Sequence, residues 1–295
     1  MVSHDVTRFL ALLHEHTGCD FRGYAKSSIQ RRLERCLAKY KLRDINQLFT
    51  TLGTFPETAQ ELLAELTVPV TEMFRDHVFF RRLRTGVLPE LRSSPVIRVW
   101  HAGCATGEEA YSCAILLQEE GLYDRSVIYA TDVNPHVLAT AQHGIYSARS
   151  VQRFSGNYFR AGGRGSLSDY YCASYGRVRF DPALRRNMVF ARHDLTSDGA
   201  FTQAHLVFCR NVLIYFEKPL QAKVIARIDE TLCDGGFLCL GQRECLPQAV
   251  RSRTFQPYAT GENIYRKSPG NFSLPVPRDG LSRIGINAWR TEQHL

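Results

Sequence analysis

Two carboxylates stand directly after a glycine-containing turn near the middle of the chain. Residues 96–100 form a short β-branched and aromatic run, which predicts a buried strand. Small residues follow, including Gly103 and Gly107, and the apolar spacing is helical from there on. Glu108 and Glu109 therefore begin a helix, where carboxylates suit the helix dipole but repel phosphate. The turn favours a cationic ligand that carries no phosphate.

The spacing of the two glycines argues against the common nucleotide-binding motifs. A dinucleotide site requires G-x-G-x-x-G, whereas this turn reads G-x-x-x-G. A triphosphate loop requires Lys and then Ser or Thr after its last glycine, and the two glutamates occupy those positions. S-adenosylmethionine has a sulfonium, an ammonium and ribose hydroxyls, so it fits.

A further carboxylate strengthens this interpretation. Asp132 ends the next predicted strand, where a carboxylate can accept hydrogen bonds from ribose hydroxyls. Taken alone, Glu109 or Asp132 is better explained as a helix-cap or strand-end acid. The two together, in order and after strands, favour a binding site.

The remaining pattern predicts an α/β fold, with a doubly wound, Rossmann-like sheet over about residues 81–267. Two later strands end at the same edge of the sheet, one followed by Asp194 and Leu195 and the other by Arg210 and Asn211. Residues 147–186 are rich in Tyr, Gly, Ser and Arg, and we expect a small, mainly β insertion there. Residues 268–295 lack periodicity and are expected to form a flexible tail.

Residues 1–80 are predicted to be helical. The helix over residues 26–40 carries Arg31 and Arg35 one turn apart, with Arg32 beside them. An ordinary solvated face and a docking surface for an acidic partner both fit this pattern. Pro69 then marks a break before a new helix that Thr71 can cap.

Composition sets further limits. The chain has 295 residues, a formal net charge of +8 and 44% hydrophobic residues, so one large or two ordinary domains and an acidic partner are expected. No apolar run reaches the roughly 18 residues of a membrane span. The nine cysteines include no C-x-x-C pair. We therefore expect a reduced, cytoplasmic, monomeric protein that is not inserted in a membrane and has no structural metal.

Four motifs together resemble the bacterial chemotaxis receptor glutamate O-methyltransferases, over about residues 5–267. They read Thr-Glu-Met-Phe-Arg-Asp (71–76), Cys-Ala-Thr-Gly-Glu-Glu-Ala-Tyr-Ser (104–112), Ala-Thr-Asp-Val (130–133) and Phe-Cys-Arg-Asn-Val-Leu-Ile-Tyr-Phe (208–216). The resemblance implies an N-terminal all-α domain, a class I methyltransferase domain and a small inserted β subdomain. It also implies methyl transfer from S-adenosylmethionine, which becomes S-adenosylhomocysteine, to glutamates on the acidic cytoplasmic helices of chemoreceptors.

Residue roles follow from the same resemblance. Arg75 and Tyr215 are expected near the transferred methyl group, and Arg31, Arg32 and Arg35 are expected to face the receptor. The implied cofactor contacts are Thr71, Arg75, Glu109, Asp132, Asp194, Leu195, Arg210 and Asn211, and Gly103 joins them from the turn. Pro69 stands where some members have an asparagine that contacts the cofactor.

Other functions of the same fold remain open. A nucleic-acid methyltransferase is compatible with the charge, but usually has an Asn/Asp-Pro-Pro-Tyr/Phe motif where this chain has Arg-Asn-Val-Leu. Nucleic acid is therefore not an expected partner. A methyltransferase acting on another acidic protein, or a non-catalytic cofactor-binding scaffold, would use the same pocket.

Overall fold

A seven-stranded, mostly parallel sheet forms the centre of the molecule. The structure is a computed structural model and describes residues 4–258 and 261–270. The strand order is β6-β2-β1-β7-β8-β10-β9, and only the last two strands run antiparallel to their neighbours. The strands are β1 (Ile97–Ala102), β2 (Ser126–Asp132), β6 (Met188–Arg192), β7 (Ala204–Cys209), β8 (Leu232–Leu240), β9 (Phe255–Pro257) and β10 (Ile264–Lys267).

Helices cover both faces of this sheet because its strands are apolar on both sides. Ile97 and Val99 of β1 are buried with one set of helices, and Trp100 is buried with α10 on the opposite face. This arrangement confirms the predicted α/β class. The helices around the sheet are α5 (His77–Arg82), α6 (Leu88–Leu91), α7 (Glu108–Glu119), α8 (Pro135–His143), α10 (Lys218–Thr231) and α11 (Gln248–Arg253).

Four helices precede the sheet and have a core of their own. They are α1 (His4–Thr17), α2 (Lys26–Tyr40), α3 (Ile45–Thr54) and α4 (Ala59–Leu66). Phe9, Leu33, Leu48 and Leu63 are fully buried between them. The domain boundary predicted near residue 80 stays a prediction.

The helical layer is joined to the sheet by a short backbone pairing. The amide of Ala25 donates to the carbonyl of Tyr215 at 2.8 Å, and the amide of Glu217 donates to the carbonyl of Gly23 at 3.0 Å. Tyr24 and Phe216 pair between them as an antiparallel bridge. We call residues 23–25 and 215–217 the interdomain bridge.

The inserted segment contains a helix as well as strands. A three-stranded antiparallel sheet has the order β3-β5-β4, formed by β3 (Ile145–Ser147), β4 (Tyr171–Ser174) and β5 (Arg177–Phe180). Helix α9 (Ala148–Arg160) lies between β3 and β4 and buries Val151, Phe154 and Tyr158. The 3.6-residue spacing of these apolar residues is the signal for this helix, which was not predicted.

One local prediction is wrong. Thr71 does not cap a helix, because residues 71–76 are non-helical and α5 begins at His77. Phe74 and Asp76 have φ angles of 50° and 57°, which a helix does not allow. The Phe74 side chain is fully buried and its amide donates to Ser112 Oγ at 2.9 Å. Packing against α7 therefore outweighs the local helix signal.

No helix in the described residues is long and apolar enough to cross a bilayer. The predicted tail lies outside the described residues from residue 271 onward.

Candidate active site

One cavity opens at the carboxyl ends of the central parallel strands, between the sheet and the N-terminal helices. We call it the central cavity. All of the predicted cofactor and catalytic residues line it, and so does one of the three predicted receptor-facing arginines. These residues are Arg32, Thr71, Arg75, Gly103, Glu109, Asp132, Asp194, Leu195, Arg210, Asn211 and Tyr215.

The turn after β1 brings backbone to the cavity wall. Gly103 has a φ of +80°, and a Cβ at this position would lie 2.7 Å from Cγ2 of Val212. Both its conformation and the close approach require glycine. A side chain here would collide with Val212, which lines the same cavity, so this wall of the cavity depends on glycine.

Asp132 is fixed at the end of β2 by backbone donors. Its Oδ2 accepts from the amide of Ala105 at 2.9 Å and its Oδ1 from that of Asn134 at 3.0 Å. Burial raises the pKa of the carboxyl, although these amides partly oppose the shift. The two amides hold the Asp132 carboxylate in an orientation in which it can accept hydrogen bonds from the hydroxyl groups of a ligand.

Asp194 occupies the corresponding place beyond β6. Its Oδ1 accepts from both the amide and the hydroxyl of Thr196, each at 2.7 Å. Burial raises its pKa as well. Leu195, 8% exposed, adds an apolar wall next to it.

Glu109 belongs to a chain of buried polar groups. Its Oε2 accepts from Arg210 Nη1 at 2.8 Å, and its Oε1 lies 3.0 Å from Nδ1 of His101. Burial alone would raise the pKa of Glu109, but the His101 hydrogen bond and the Arg210 charge outweigh it and the pKa is lowered. An ionised carboxylate can only accept, so His101 Nδ1 carries the proton. The cavity therefore presents a negative charge able to receive an ammonium group.

The two arginines on this side have different surroundings. Arg210 donates to Asp76 at 2.6 Å as well as to Glu109, and its guanidinium lies 4.0 Å from the centre of the Phe79 ring. Arg75 has only a long contact, 3.5 Å, from Nη1 to the carbonyl of Val70, and no ion pair within the described residues. Of these two arginines, Arg75 is therefore the one able to hold an anionic ligand group.

Arg32 differs from the other two predicted receptor-facing arginines in its burial. It is 1% exposed, whereas Arg31 and Arg35 are exposed on the surface of α2. Its Nη1 donates to the carbonyl of Leu66, and its guanidinium lies 4.7 Å from the centre of the Tyr215 ring. Arg32 packs inward because it shares the buried side of α2 with Ile29 and Cys36.

Arg32 also lacks a full set of partners. Within the described part of the chain, its Nε and Nη2 are buried without a hydrogen-bond acceptor. Burial lowers its pKa, and the neighbouring Tyr215 and Tyr24 oppose this shift. A buried cation with two donors that lack acceptors is stabilised by an anion that supplies them.

Sequence reasoning missed several residues of the cavity wall. Tyr24 comes from the loop before α2, where no periodic pattern marks it. Its ring packs edge-to-face on Phe216, 4.8 Å between centres. His193 also lines the cavity; the signal for it was its place next to Asp194 beyond a predicted strand.

Comparison with known proteins identifies the family. The family model described as "CheR methyltransferase, SAM binding domain" matches residues 69–260, and "CheR methyltransferase, all-alpha domain" matches residues 4–67. The chain belongs to the CheR methyltransferase family, as the sequence motifs predicted. The match to both models also supports the predicted order of an all-α domain followed by a methyltransferase domain.

Individual relatives agree with this assignment. "Putative methyltransferase Cher3" of Pseudomonas putida is 46% identical over 84% of this chain and 91% of its own length. "Chemotaxis protein methyltransferase 1" of Pseudomonas aeruginosa is 30% identical over 82% of this chain and 90% of its own. "Chemotaxis protein methyltransferase" of Listeria monocytogenes is 29% identical over 81% and 89%.

The cofactor of this family is S-adenosylmethionine, and the cavity fits it. Glu109 offers a carboxylate for an ammonium, Arg75 a guanidinium for a carboxylate, and Asp132 an acceptor for ribose hydroxyls. Gly103 lets the backbone of the turn approach Val212, where a Cβ would collide. The chain is therefore a methyltransferase that uses S-adenosylmethionine, the cofactor predicted from the sequence.

Proposed function

We propose that this protein transfers methyl groups from S-adenosylmethionine to glutamate side chains on the acidic cytoplasmic helices of bacterial chemoreceptors, in chemotaxis-type signalling. The observation that carries this proposal is Arg32, a residue of the cavity wall whose buried guanidinium has two donors without an acceptor among the described residues. A neutral acceptor would leave that charge uncompensated, whereas a carboxylate supplies both the charge and the acceptors. The names of the chemotaxis methyltransferase relatives support the same class of substrate.

The cavity divides its charges between two ligands in this proposal. The carboxylates of Asp132, Asp194 and Glu109 accept hydrogen bonds from the hydroxyl and ammonium groups of the cofactor. Arg75 pairs with the carboxylate of the cofactor. Arg32 and Tyr215, which are in contact, receive the acceptor. Thr71, Gly103, Leu195 and Asn211 complete the wall on the cofactor side.

When bound, S-adenosylmethionine supplies an electrophilic methyl group on a sulfonium. A glutamate acceptor has a reference pKa near 4.3, so it is ionised at neutral pH and needs no general base. The protein then contributes by desolvating and aligning the carboxylate, which can be worth roughly 7–11 kcal/mol. The Tyr215 hydroxyl has no hydrogen-bond partner among the described residues, and we assign it to orient the acceptor.

Arg31 and Arg35 are assigned to the outer part of the same substrate surface. Both are exposed on α2, the helix that also carries Arg32. The next cation along this helix, Lys39, is paired with Glu65. Arg31 and Arg35 can therefore attract an acidic helix while Arg32 receives one of its carboxylates.

A labelling experiment tests the function. The protein is incubated with tritiated S-adenosylmethionine and host membranes, and protein-bound label is measured before and after mild alkali. We expect label that alkali releases as methanol, because carboxyl methyl esters hydrolyse and N-methyl groups do not. Alkali-stable label, or label in RNA or DNA, would contradict the proposal.

A further inference from the structure

A buried carboxylate from outside the cavity holds residues 210–215, which we call the site loop. Glu244 is 4% exposed, and its Oε2 accepts from the amides of Asn211 at 2.7 Å and Gly241 at 2.6 Å. Its Oε1 accepts from the amide of Ile214 at 3.2 Å. One side chain thus satisfies three backbone donors, two of them in the site loop.

The surroundings of Glu244 fix its position. Asn263 Nδ2 donates to the carbonyls of Gly241 at 2.8 Å and Glu244 at 2.6 Å, which ties the segment to the start of β10. A Cβ on Gly241 would lie 2.7 Å from Glu244 Oε2 and 2.9 Å from the amide of Asn211. The close contact between the two segments therefore depends on glycine at 241.

The conformation of the site loop requires hydrogen bonds to a residue outside the loop. Asn211 has a φ of +61°, an unfavourable conformation for a residue with a side chain. Residues 213–215 form one short 3-10 turn, so the amide of Ile214 has no partner from a regular helix. Without Glu244, this turn would lose its hydrogen bond to the segment after β8, at the residue before Tyr215.

We propose that Glu244 is a positioning residue for methyl transfer, acting through Tyr215. This inference rests on the proposed function, in which the Tyr215 hydroxyl orients the acceptor. The cofactor side of the loop has separate support, because Arg210 is held by Asp76 and Glu109. Loss of the carboxylate should therefore disturb the acceptor more than the cofactor.

A double-mutant cycle between Glu244→Gln and Tyr215→Phe tests the proposal. The glutamine keeps the shape but turns an NH₂ group toward a backbone donor. We expect Glu244→Gln alone to lower kcat about tenfold or more, since small misplacements in a site have effects of this size. When Tyr215→Phe is already present, Glu244→Gln should lower kcat by a further factor of less than about two, because the effects of coupled residues are not additive.

The matched control is Gln242→Ala, which changes an exposed side chain in the same segment. Its kcat should equal that of the wild type. Calorimetric affinity for S-adenosylmethionine should change less than about threefold in Glu244→Gln, which separates positioning from loss of the cofactor site. An unchanged kcat, or equal reductions in both backgrounds, would overturn the proposal.

Two measurements keep this test distinct from that of the proposed function. Total protein-bound label is counted before alkali treatment, so kcat is measured whatever bond the methyl group forms. A crystal structure of Glu244→Gln with S-adenosylhomocysteine needs no acceptor. We expect the Tyr215 hydroxyl to move by about 1 Å or more; an unmoved hydroxyl would overturn the role of Glu244 even where the labelling succeeds.

Discussion

Arg31 and Arg32 are neighbours in the chain, but only one of them is exposed. Successive residues on a helix point about 100° apart, so the two side chains have different surroundings. Arg32 lies three residues after Ile29 and four before Cys36, both buried, and that spacing was the available signal. The spacing could not predict the contact with the Tyr215 ring, because that ring comes from a distant part of the chain.

A substitution of Arg32 tests whether this buried arginine receives the carboxylate of the acceptor. Arg32→Gln removes the charge that the proposed acceptor neutralises, and loss of such a buried partner costs about 2 kcal/mol or more. We therefore expect kcat/KM for the acceptor to fall about 30-fold or more, with little change in affinity for S-adenosylmethionine. Initial rates at varied acceptor concentration and calorimetry measure the two quantities.

The control for this change is Arg186→Gln. Arg186 is exposed and pairs with Asp124, outside the residues that line the cavity. Its kinetics should match those of the wild type. A normal kcat/KM in Arg32→Gln would refute the carboxylate-receiving role of Arg32.

Glu108 is expected to make the free energy of unfolding depend on pH. Burial raises its pKa from 4.5 to about 6, although the hydroxyl of Thr106 donates to its Oε2 at 2.6 Å. Between pH 4.5 and about 6, the folded protein therefore binds more protons at Glu108 than the unfolded chain does. The contribution of Glu108 to the free energy of unfolding falls as the pH rises through this range. This contribution is about 2 kcal/mol.

Glu108→Gln should remove this contribution. The free energy of unfolding of the variant, from urea titrations between pH 4.5 and 7, should decline by about 2 kcal/mol less than that of the wild type. Parallel curves for the two proteins would show that the Glu108 pKa is not raised.

At the scale of elements, the ends of parallel strands were the predictable part of the site. Asp132 and Asp194 follow apolar runs, and the sheet brings both to one edge. Thr71 and Tyr24 lie on segments whose course depends on tertiary contacts. No local period describes such segments, so the Thr71 cap was predicted wrongly and Tyr24 was missed.

The interdomain bridge is an element whose effect can be isolated. Ala25→Pro removes the amide that donates to the carbonyl of Tyr215, while the Ala25 φ of −56° already suits proline. We expect kcat to fall about tenfold because Tyr215 shifts, and the free energy of unfolding to fall by about 1 kcal/mol. Kinetics and urea titration measure the two effects.

Lys26→Pro is the matched control for the bridge. Lys26 begins α2, where proline is well tolerated, and the Ala25 ψ of 121° suits a residue before proline. This variant should keep wild-type kcat. Equal losses in both variants would show that the bridge amide has no special role.

At the scale of the whole molecule, charge and shape act together. The net charge of +8 predicted an acidic partner without saying where it binds. The fold places α2, which carries the exposed Arg31 and Arg35, so that its Arg32 lines the cavity. In the proposed function, the surface that attracts the acceptor and the methyl-transfer site therefore lie on the same side of the molecule. The sequence could not show this, because the distance between α2 and the sheet edge depends on how the N-terminal helices pack.

Salt should therefore weaken acceptor binding. We expect KM for the receptor to rise severalfold between about 50 and 300 mM NaCl, because exposed charges are screened over about 10 Å or less. The double variant Arg31→Gln/Arg35→Gln should have a higher KM at low salt and a weaker salt dependence. Affinity for S-adenosylmethionine serves as the control and should change little in either protein.

The central claim is that the cavity joins S-adenosylmethionine to a carboxylate of an acidic helix. The most direct measurement incubates the protein and host membranes with S-adenosylmethionine bearing a trideuterated methyl group, followed by peptide mass spectrometry at low pH. We predict that the mass increment maps to glutamate side chains of chemoreceptor cytoplasmic helices, and that Arg32→Gln strongly reduces it. An increment on lysine, arginine or nucleotides, or none on any carboxylate, would contradict the claim.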